Sequence, residues 1–323
     1  MGGIFVRAVW LKEFGGPGVL AVGEAPDPVP GDGQALVAVE FVNITFVETQ
    51  LRSGTGPAPV RWELPVIPGN GVGGVVAAVG PGVDARLVGR RVVSSTGGTG
   101  GYAELAAVDA SGLFEVPDGL ALDDAVALLA DGRTATMMLR AVKPRPGERV
   151  LVEAAAGGVG TLLVQLAKAA GAVVVAAAGG ERKLKVPVGL GADEAVDYRE
   201  PGWAGAVGGV DVVFDGVGGE VAREAFTLLR PGGRMVSFGL ASGEWAAVPE
   251  AEAAERGVTL VRPQATPETL REFTQSALAE AAAGRLRPVI GQRFPLDGAA
   301  DAHRAIESRA TVGKTLLEVR RPS

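Results

Sequence analysis

The stretch ERVLVEAAAGGVGTLLVQLAKAAGAVVVAAAGG, residues 148–180, decides the fold. It reads as a β-branched strand at Arg149–Glu153, a glycine turn, a helix at Val159–Ala170 and a second strand at Ala172–Ala178. The turn carries Ala155-x-Gly157-x-x-Gly160, with alanine where a first glycine is usual. That exchange is tolerated provided the residue avoids positive φ. Gly157 and Gly158 let the backbone approach a pyrophosphate, and Gly160 lets helix and strand pack closely. With a strand before it and a helix after it, this turn is expected to bind a dinucleotide.

Two other glycine stretches lack that context. Gly69-Asn70-Gly71-Val72-Gly73-Gly74 has the formal spacing but runs into a strand, GVVAAVG, so no helix dipole faces a ligand. Gly97-Gly98-Thr99-Gly100-Gly101 lies between two strands and is expected to be a turn.

The second strand of the deciding stretch ends in Ala178-Gly179-Gly180, followed by Glu181-Arg182-Lys183. A carboxylate at that strand end would take a ribose diol and favour NAD. None is present in sequence, and two cations follow, so NADP is the expected cofactor. Tyr198, after the next strand, adds a hydroxyl.

Working outward, strands and helices continue to alternate: a short helix, strands near Ala195–Tyr198 and Val210–Asp215, a helix at Glu220–Leu229, and a strand at Arg234–Phe238. This order implies right-handed βαβ units and a parallel sheet. Upstream, Phe5–Leu11, Ala35–Val42, Val72–Val79 and Tyr102–Val108 are short strands between Pro and Gly punctuation such as PDPVPGDG and GPAPV. The rhythm changes near Leu120, and Leu122–Ala141 has helical spacing. Pro267–Ala283 and Gly298–Ser308 read as helices and Lys314–Val319 as a last strand. The expected fold class is α/β: a doubly wound parallel sheet, residues 125–264, inserted into a β-rich domain made of residues 1–124 and 265–323.

Composition removes several function classes. The 323 residues include no cysteine and one histidine, His303, so neither a disulfide framework nor a Cys/His zinc site can form. A formal net charge of −6, with no basic run longer than two residues, argues against a nucleic-acid partner. MGGIFVRAVWLKEF has no signal-peptide core, and apolar runs break well before membrane-spanning length, so a cytoplasmic chain is expected.

Many stretches resemble, in order, the zinc-independent quinone oxidoreductases (zeta-crystallin-like) of the medium-chain dehydrogenase/reductase superfamily. They are VNITFVETQLRSG, IPG-x-G-VGGVVAAVGPGV, GGYAELAAV, AAAGGVGTLLVQLAKAAGA, GADEAVDYRE, VFDGVGG, LLRPGGRMVSFG, PVIGQRFPL and HRAIESRATVGKTLLEV. The resemblance spans nearly the whole chain. It implies a GroES-like β-rich catalytic domain around a Rossmann domain, a homodimer, and NADPH-dependent hydride transfer to a quinone or an α,β-unsaturated carbonyl compound.

It further implies that Gly157, Gly158 and Val159 cradle the pyrophosphate and that Lys183 and Tyr198, beside Gly179, hold the 2′-phosphate. Phe238, Gly239 and Leu240 border the nicotinamide ribose, and Val217 the adenosine side. Asn43 reaches the nicotinamide side, and Arg309 closes over the cofactor phosphates. Asn70 and Gly71 stand where zinc-dependent relatives carry metal ligands, and neither can replace them.

The chain departs from the family between Asn43 and Arg52, which is longer by two residues, and a tyrosine usual near Gln50 is absent. The proton or hydrogen-bond donor is then Gln50, Thr49, Tyr102 or solvent. Pro187 is expected to shorten or distort the helix after Lys183. His303 is expected on a surface helix and not in catalysis. The absent tyrosine keeps a second function open, a non-redox cyclase or isomerase on this fold. A third is a protein that holds the nucleotide only for stability.

Overall fold

The computed structural model describes residues 5–56 and 61–319; Pro57–Val60 of the GPAPV punctuation lie outside the described residues. In chain order come β1 (Phe5–Leu11), β2 (Leu20–Pro26), β3 (Gln34–Ile44), α1 (Phe46–Ser53), β4 (Gly71–Val79), β5 (Arg91–Ser95), β6 (Leu105–Asp109) and β7 (Phe114–Glu115). There follow α2 (Leu122–Val142), β8 (Arg149–Val152), α3 (Gly158–Ala169), β9 (Val173–Ala178), α4 (Glu181–Gly189), β10 (Glu194–Asp197), α5 (Trp203–Val207), β11 (Val210–Asp215) and α6 (Gly219–Thr227). The remainder is β12 (Leu229–Ser237), α7 (Glu250–Glu255), β13 (Thr259–Val261), α8 (Pro267–Ala282), β14 (Ile290–Pro295), α9 (Ala299–Glu307) and β15 (Lys314–Glu318).

The chain divides into two compact units, residues 1–130 with 290–323, and residues 131–289. The second boundary differs from the one expected at 264/265, because α8 belongs to the second unit. Gln165 and Arg287 exchange two hydrogen bonds, of 2.8 and 3.0 Å, and the Arg140 guanidinium lies 5.2 Å from the Phe273 ring centre.

In the first unit, β3 alternates half-buried and buried residues from Gln34 to Glu40, as a strand packed on one face requires, and is buried throughout from Phe41 to Ile44. It pairs antiparallel with β4 along one edge, and with β6 and then β15 along the other. The sheet order is β14-β15-β3-β4-β5-β7, with β6 on β3, and β1-β2 form a separate ribbon. Val37, Val39, Val42, Val72, Val92 and Leu317 are central to its core.

The second unit is a six-stranded sheet, β10-β9-β8-β11-β12-β13, parallel throughout. Its strands β8, β9 and β11 are buried almost without interruption, because helices cover both faces. Fully burying a Val or Leu side chain contributes about 1.5–3 kcal/mol. The strand order reverses between β8 and β11, and in open parallel sheets ligands bind at the carboxyl ends of the strands flanking such a point. Pro187 does not break α4, which continues to Gly189; the proline sits in its last turn and removes only one internal bond. Among the described residues no helix is long and apolar enough to cross a membrane.

Candidate dinucleotide and substrate site

The deciding turn lies at the carboxyl end of β8, at the switch point. Gly157 caps α3 in an extended conformation (φ −83°, ψ 172°), leaving the first-turn amides of a 12-residue helix directed out of its end. A methyl group placed on Gly157 would meet only the Ala154 carbonyl, at 3.2 Å, so the remaining space beside it is open. Gly160 is required for packing, since a methyl group there would overlap the Ala154 carbonyl and stand 2.8 Å from Ala155 Cα. Ala155 avoids positive φ, so alanine fits in place of the first glycine. Its neighbour Ala154 takes the left-handed conformation instead, at φ 46°. Val159 follows in the first turn of α3.

Gly158 follows as the first residue of α3. Its face is filled by the Asp131 carboxylate of α2: a methyl group there would overlap Oδ2 and stand 3.0 Å from Cγ. The open side of the turn lies at Gly157.

At the end of β9, Gly179 and Gly180 lead into α4, which begins with Glu181, Arg182 and Lys183. Tyr198 follows β10, the neighbouring strand, and its hydroxyl would stand 3.4 Å from a methyl group on Gly179. The Arg199 guanidinium lies against the same glycines, with Nη2 2.7 Å from where a Gly180 methyl would stand.

The carboxyl ends of β11 and β12 are stitched together. Asp215 accepts hydrogen bonds from the Val217 and Gly218 amides (3.0 and 2.7 Å) and from Ser237 Oγ (2.6 Å). The Phe238 amide donates to the Asp215 carbonyl at 2.8 Å, and the Ser242 amide to the Val217 carbonyl at 2.7 Å. A methyl group on Gly239 would stand 2.8 Å from the Gly216 carbonyl, so only glycine allows this approach. Leu240 follows, its carbonyl accepting from the Gly243 amide. The Glu153 carboxyl, completely buried beside this loop, makes no hydrogen bond of ordinary geometry, and Asp215 and the Gly216 and Val217 amides are its polar neighbours. Burial, and then the Asp215 charge, push its carboxyl well above the usual range, which favours the protonated form.

In the first unit, Asn43 is buried, its amide donating to the Val126 carbonyl at 3.3 Å. Gly71 packs against that amide with no room for a side chain, and a methyl group on Gly74 would overlap the Ala38 carbonyl. The glycines of residues 69–74 therefore serve close packing. The Glu48 carboxylate closes a capping box with Thr45 and accepts the Asn70 amide at 3.0 Å, fixing this loop to α1.

Three of the candidate donors are now distinguishable. Thr49 Oγ1 donates to the Phe46 carbonyl at 2.7 Å, and Tyr102 is wholly buried with its hydroxyl 2.8 Å from His303 Nε2. Gln50 Oε1 is a buried atom with no hydrogen-bond partner. His303 is fully buried on α9, in contrast to the surface position expected. Burial, with Arg52 nearby, lowers its pKa to about 3, so the imidazole is neutral and structural. Arg52, itself buried, forms an ion pair with Glu307. Arg309 is exposed and left-handed (φ 57°), its amide closing on the Ile306 carbonyl where a helix commonly ends in glycine.

Sequence reasoning missed Asp131, Glu153 and Arg199. Asp131 had no signal, since its partner lies a helix away in sequence. Glu153 did have one, a carboxylate directly after the apolar run Val150–Val152.

Two family models match the chain: an alcohol dehydrogenase GroES-like domain over residues 31–118 and a zinc-binding dehydrogenase over residues 190–317. The donors present do not fit zinc, because there is no cysteine and the single histidine is enclosed with Tyr102. A quinone oxidoreductase of Pseudomonas aeruginosa is 34% identical over 96% of this chain and 99% of its own length. A 2-haloacrylate reductase of a Burkholderia species is 31% identical over 97% of this chain and 98% of its own length. The crystal structure of Escherichia coli quinone oxidoreductase complexed with NADPH superposes with a TM-score of 0.87 at 31% identity, covering 97% of this chain and all of that one. Strand order, the glycine turn at the switch point and these whole-length similarities place the chain in the quinone oxidoreductase family of the medium-chain dehydrogenases/reductases.

Proposed function

We propose that the protein is a zinc-independent NADPH-dependent reductase of quinones or of alkenes conjugated with a carbonyl. The observation that carries the reading is the open face of Gly157 at the α3 N-terminus, between the carboxyl ends of β8 and β11. A pyrophosphate fits there, and a side chain would fill the cradle. NADPH would be held by the Gly157–Val159 amides, by Lys183 and Tyr198 at the 2′-phosphate, and by the loop from Phe238 to Leu240 at the ribose. Val217 and Gly179 flank the adenosine.

When bound, the cofactor supplies hydride. The chain's own residues bind, orient and exclude water, which is what hydride transfer requires of a protein. Gln50 is the half-buried amide of α1 whose Nε2 could donate to a substrate oxygen, its Oε1, an acceptor, being buried without a partner. It is not an acid, so the proton that completes the reduction comes from solvent. Relatives named for quinones and for a haloacrylate support both acceptor classes.

The test is turnover of NADPH with a 1,4-quinone and with a 2-haloacrylate, each assayed against NADH. Oxidation of NADPH by either acceptor supports the reading. Tight NADPH binding without turnover of any quinone or enone would replace it with a non-redox enzyme, which the missing tyrosine near Gln50 would favour.

A further inference from the structure

The adenosine end of the second unit holds an acid that linear sequence does not reveal. β10 runs parallel to β9 in a register that sets Asp197 beside Ala178, the last residue of β9. A dinucleotide on such a sheet lays its adenosine ribose at this strand end, where a carboxylate binds the 2′,3′-diol. Asp197 is therefore a carboxylate in the NAD-selecting position, supplied by the third strand instead of the second.

That carboxylate is already engaged. Arg199 grips it through Nε (3.0 and 3.2 Å) and Nη2 (2.7 Å), and the Arg199 amide adds a bond of 3.0 Å. The guanidinium holds Asp197 below the usual carboxylate range, and the Gly180 amide adds to this. The Asp197 side chain is only 13% exposed, whereas Arg199 is 61% exposed. The guanidinium also lies along Gly179 and Gly180: Cδ is 3.3 Å from a methyl position on the first and Nη2 2.7 Å from one on the second. The Asp197 bonds occupy Nε and Nη2, and Nη1 is not among them.

We infer that Arg199 is a second determinant of cofactor choice, acting in two ways at one place: it masks Asp197 from the ribose diol and offers its remaining guanidinium edge to the 2′-phosphate. This rests on the proposed dinucleotide reading of the second unit. A bidentate fork leaves Arg able to meet an anion with its other edge, which a lysine ammonium could not do as well. Removing Arg199 deletes one phosphate contact and frees a carboxylate, which repels the phosphate and welcomes the diol. The two cofactors should thus move in opposite directions, whereas damage to folding moves both the same way.

The experiment is fluorescence titration of NADPH and NADH into the parent chain, Arg199→Ala, Arg199→Gln and Arg199→Ala with Asp197→Asn, each with a thermal unfolding curve. NADPH should weaken on the order of tenfold in both single variants, as for loss of a charge-assisted phosphate contact. NADH should tighten by about threefold or more, and that gain should vanish when Asp197 is also replaced. A selectivity ratio unchanged within about twofold, or equal weakening of both cofactors, overturns the inference while leaving the dinucleotide reading intact. A parent chain that binds neither cofactor overturns both.

Discussion

The Asp131 carboxylate fills the space that a side chain on Gly158 would need, while the corresponding space at Gly157, one residue earlier, is open. Replacing the two glycines therefore probes different things. Gly157→Val places branched carbons where the proposed pyrophosphate would dock, in a backbone conformation open to any residue. It should weaken NADPH by roughly ten- to a hundredfold with only a small change in Tm. Gly158→Val forces the Asp131 side chain aside and should destabilise the fold by about 1–3 kcal/mol, the usual cost of overpacking. Paired unfolding and NADPH titrations separate these outcomes. A folded Gly157→Val variant with parental affinity would show that the phosphate binds elsewhere.

Lys183 opens α4 directly beyond the end of β9, on the side where Tyr198 and Arg199 crowd the glycines. NADPH should bind at least about tenfold more tightly than NADH, and Lys183→Ala should erase most of that difference. Equal affinity of the parent chain for both cofactors would refute it.

The single histidine gives a prediction about metal. His303 faces the Tyr102 hydroxyl and is enclosed completely, so no metal need reach it for folding or turnover. Exhaustive chelation should leave both unchanged; activity lost to a chelator and restored by zinc would contradict this. His303→Ala should cost about 2–4 kcal/mol, from a cavity and an unsatisfied phenol, while kcat per folded molecule stays the same.

Glu153 should make its mark on the pH dependence of stability. Its folded-state pKa is raised, chiefly by burial and then by the charge of Asp215. The native state therefore holds the proton more tightly than the unfolded chain does. Glu153's contribution is complete below the ordinary carboxyl value and is lost progressively as pH rises towards the folded-state value. Glu153→Gln keeps the neutral shape and removes that loss. Its stability relative to the parent should grow by about 1.4 kcal/mol per pH unit from about pH 4.5 upward. Denaturant titrations of both chains between pH 5 and 8 measure the slope. A constant difference across that range would mean that Glu153 is ionised in the fold.

What was legible from sequence follows from how local each signal is. The βαβ unit at residues 148–180 was readable because strand, glycines and helix are contiguous, and β8, α3 and β9 form within a residue or so of the expected bounds. The short strands β5 and β13 carry too few apolar residues to announce themselves, and β2 is mostly exposed and shows no alternation. The membership of α8 rests on Arg140 of α2 meeting Phe273 and Ser276, far apart in sequence, and could not be read from either end. His303 could have been placed correctly: Ala299, Ala302 and His303 are the buried residues of α9, the i, i+3, i+4 face of a helix. In the site, linear sequence shows no acid at the end of β9, and only sheet register brings Asp197 of β10 beside Ala178.

The pairing of β15 with β3 bears on how the protein is made. Along one edge β3 pairs with β6 near its start and with β15 near its end, and β15 also carries β14. On a ribosome, β3 emerges early, while its partner β15 is not yet synthesised. The contiguous 131–289 unit can complete its sheet first, as domains generally fold as units. Meanwhile the Phe41–Ile44 end of β3 waits with an unpaired backbone edge and apolar side chains, the kind of strand on which nascent chains aggregate. The stretch of translation between β3 and β15 is thus a period of vulnerability. A truncation before Lys314 would make that vulnerability permanent.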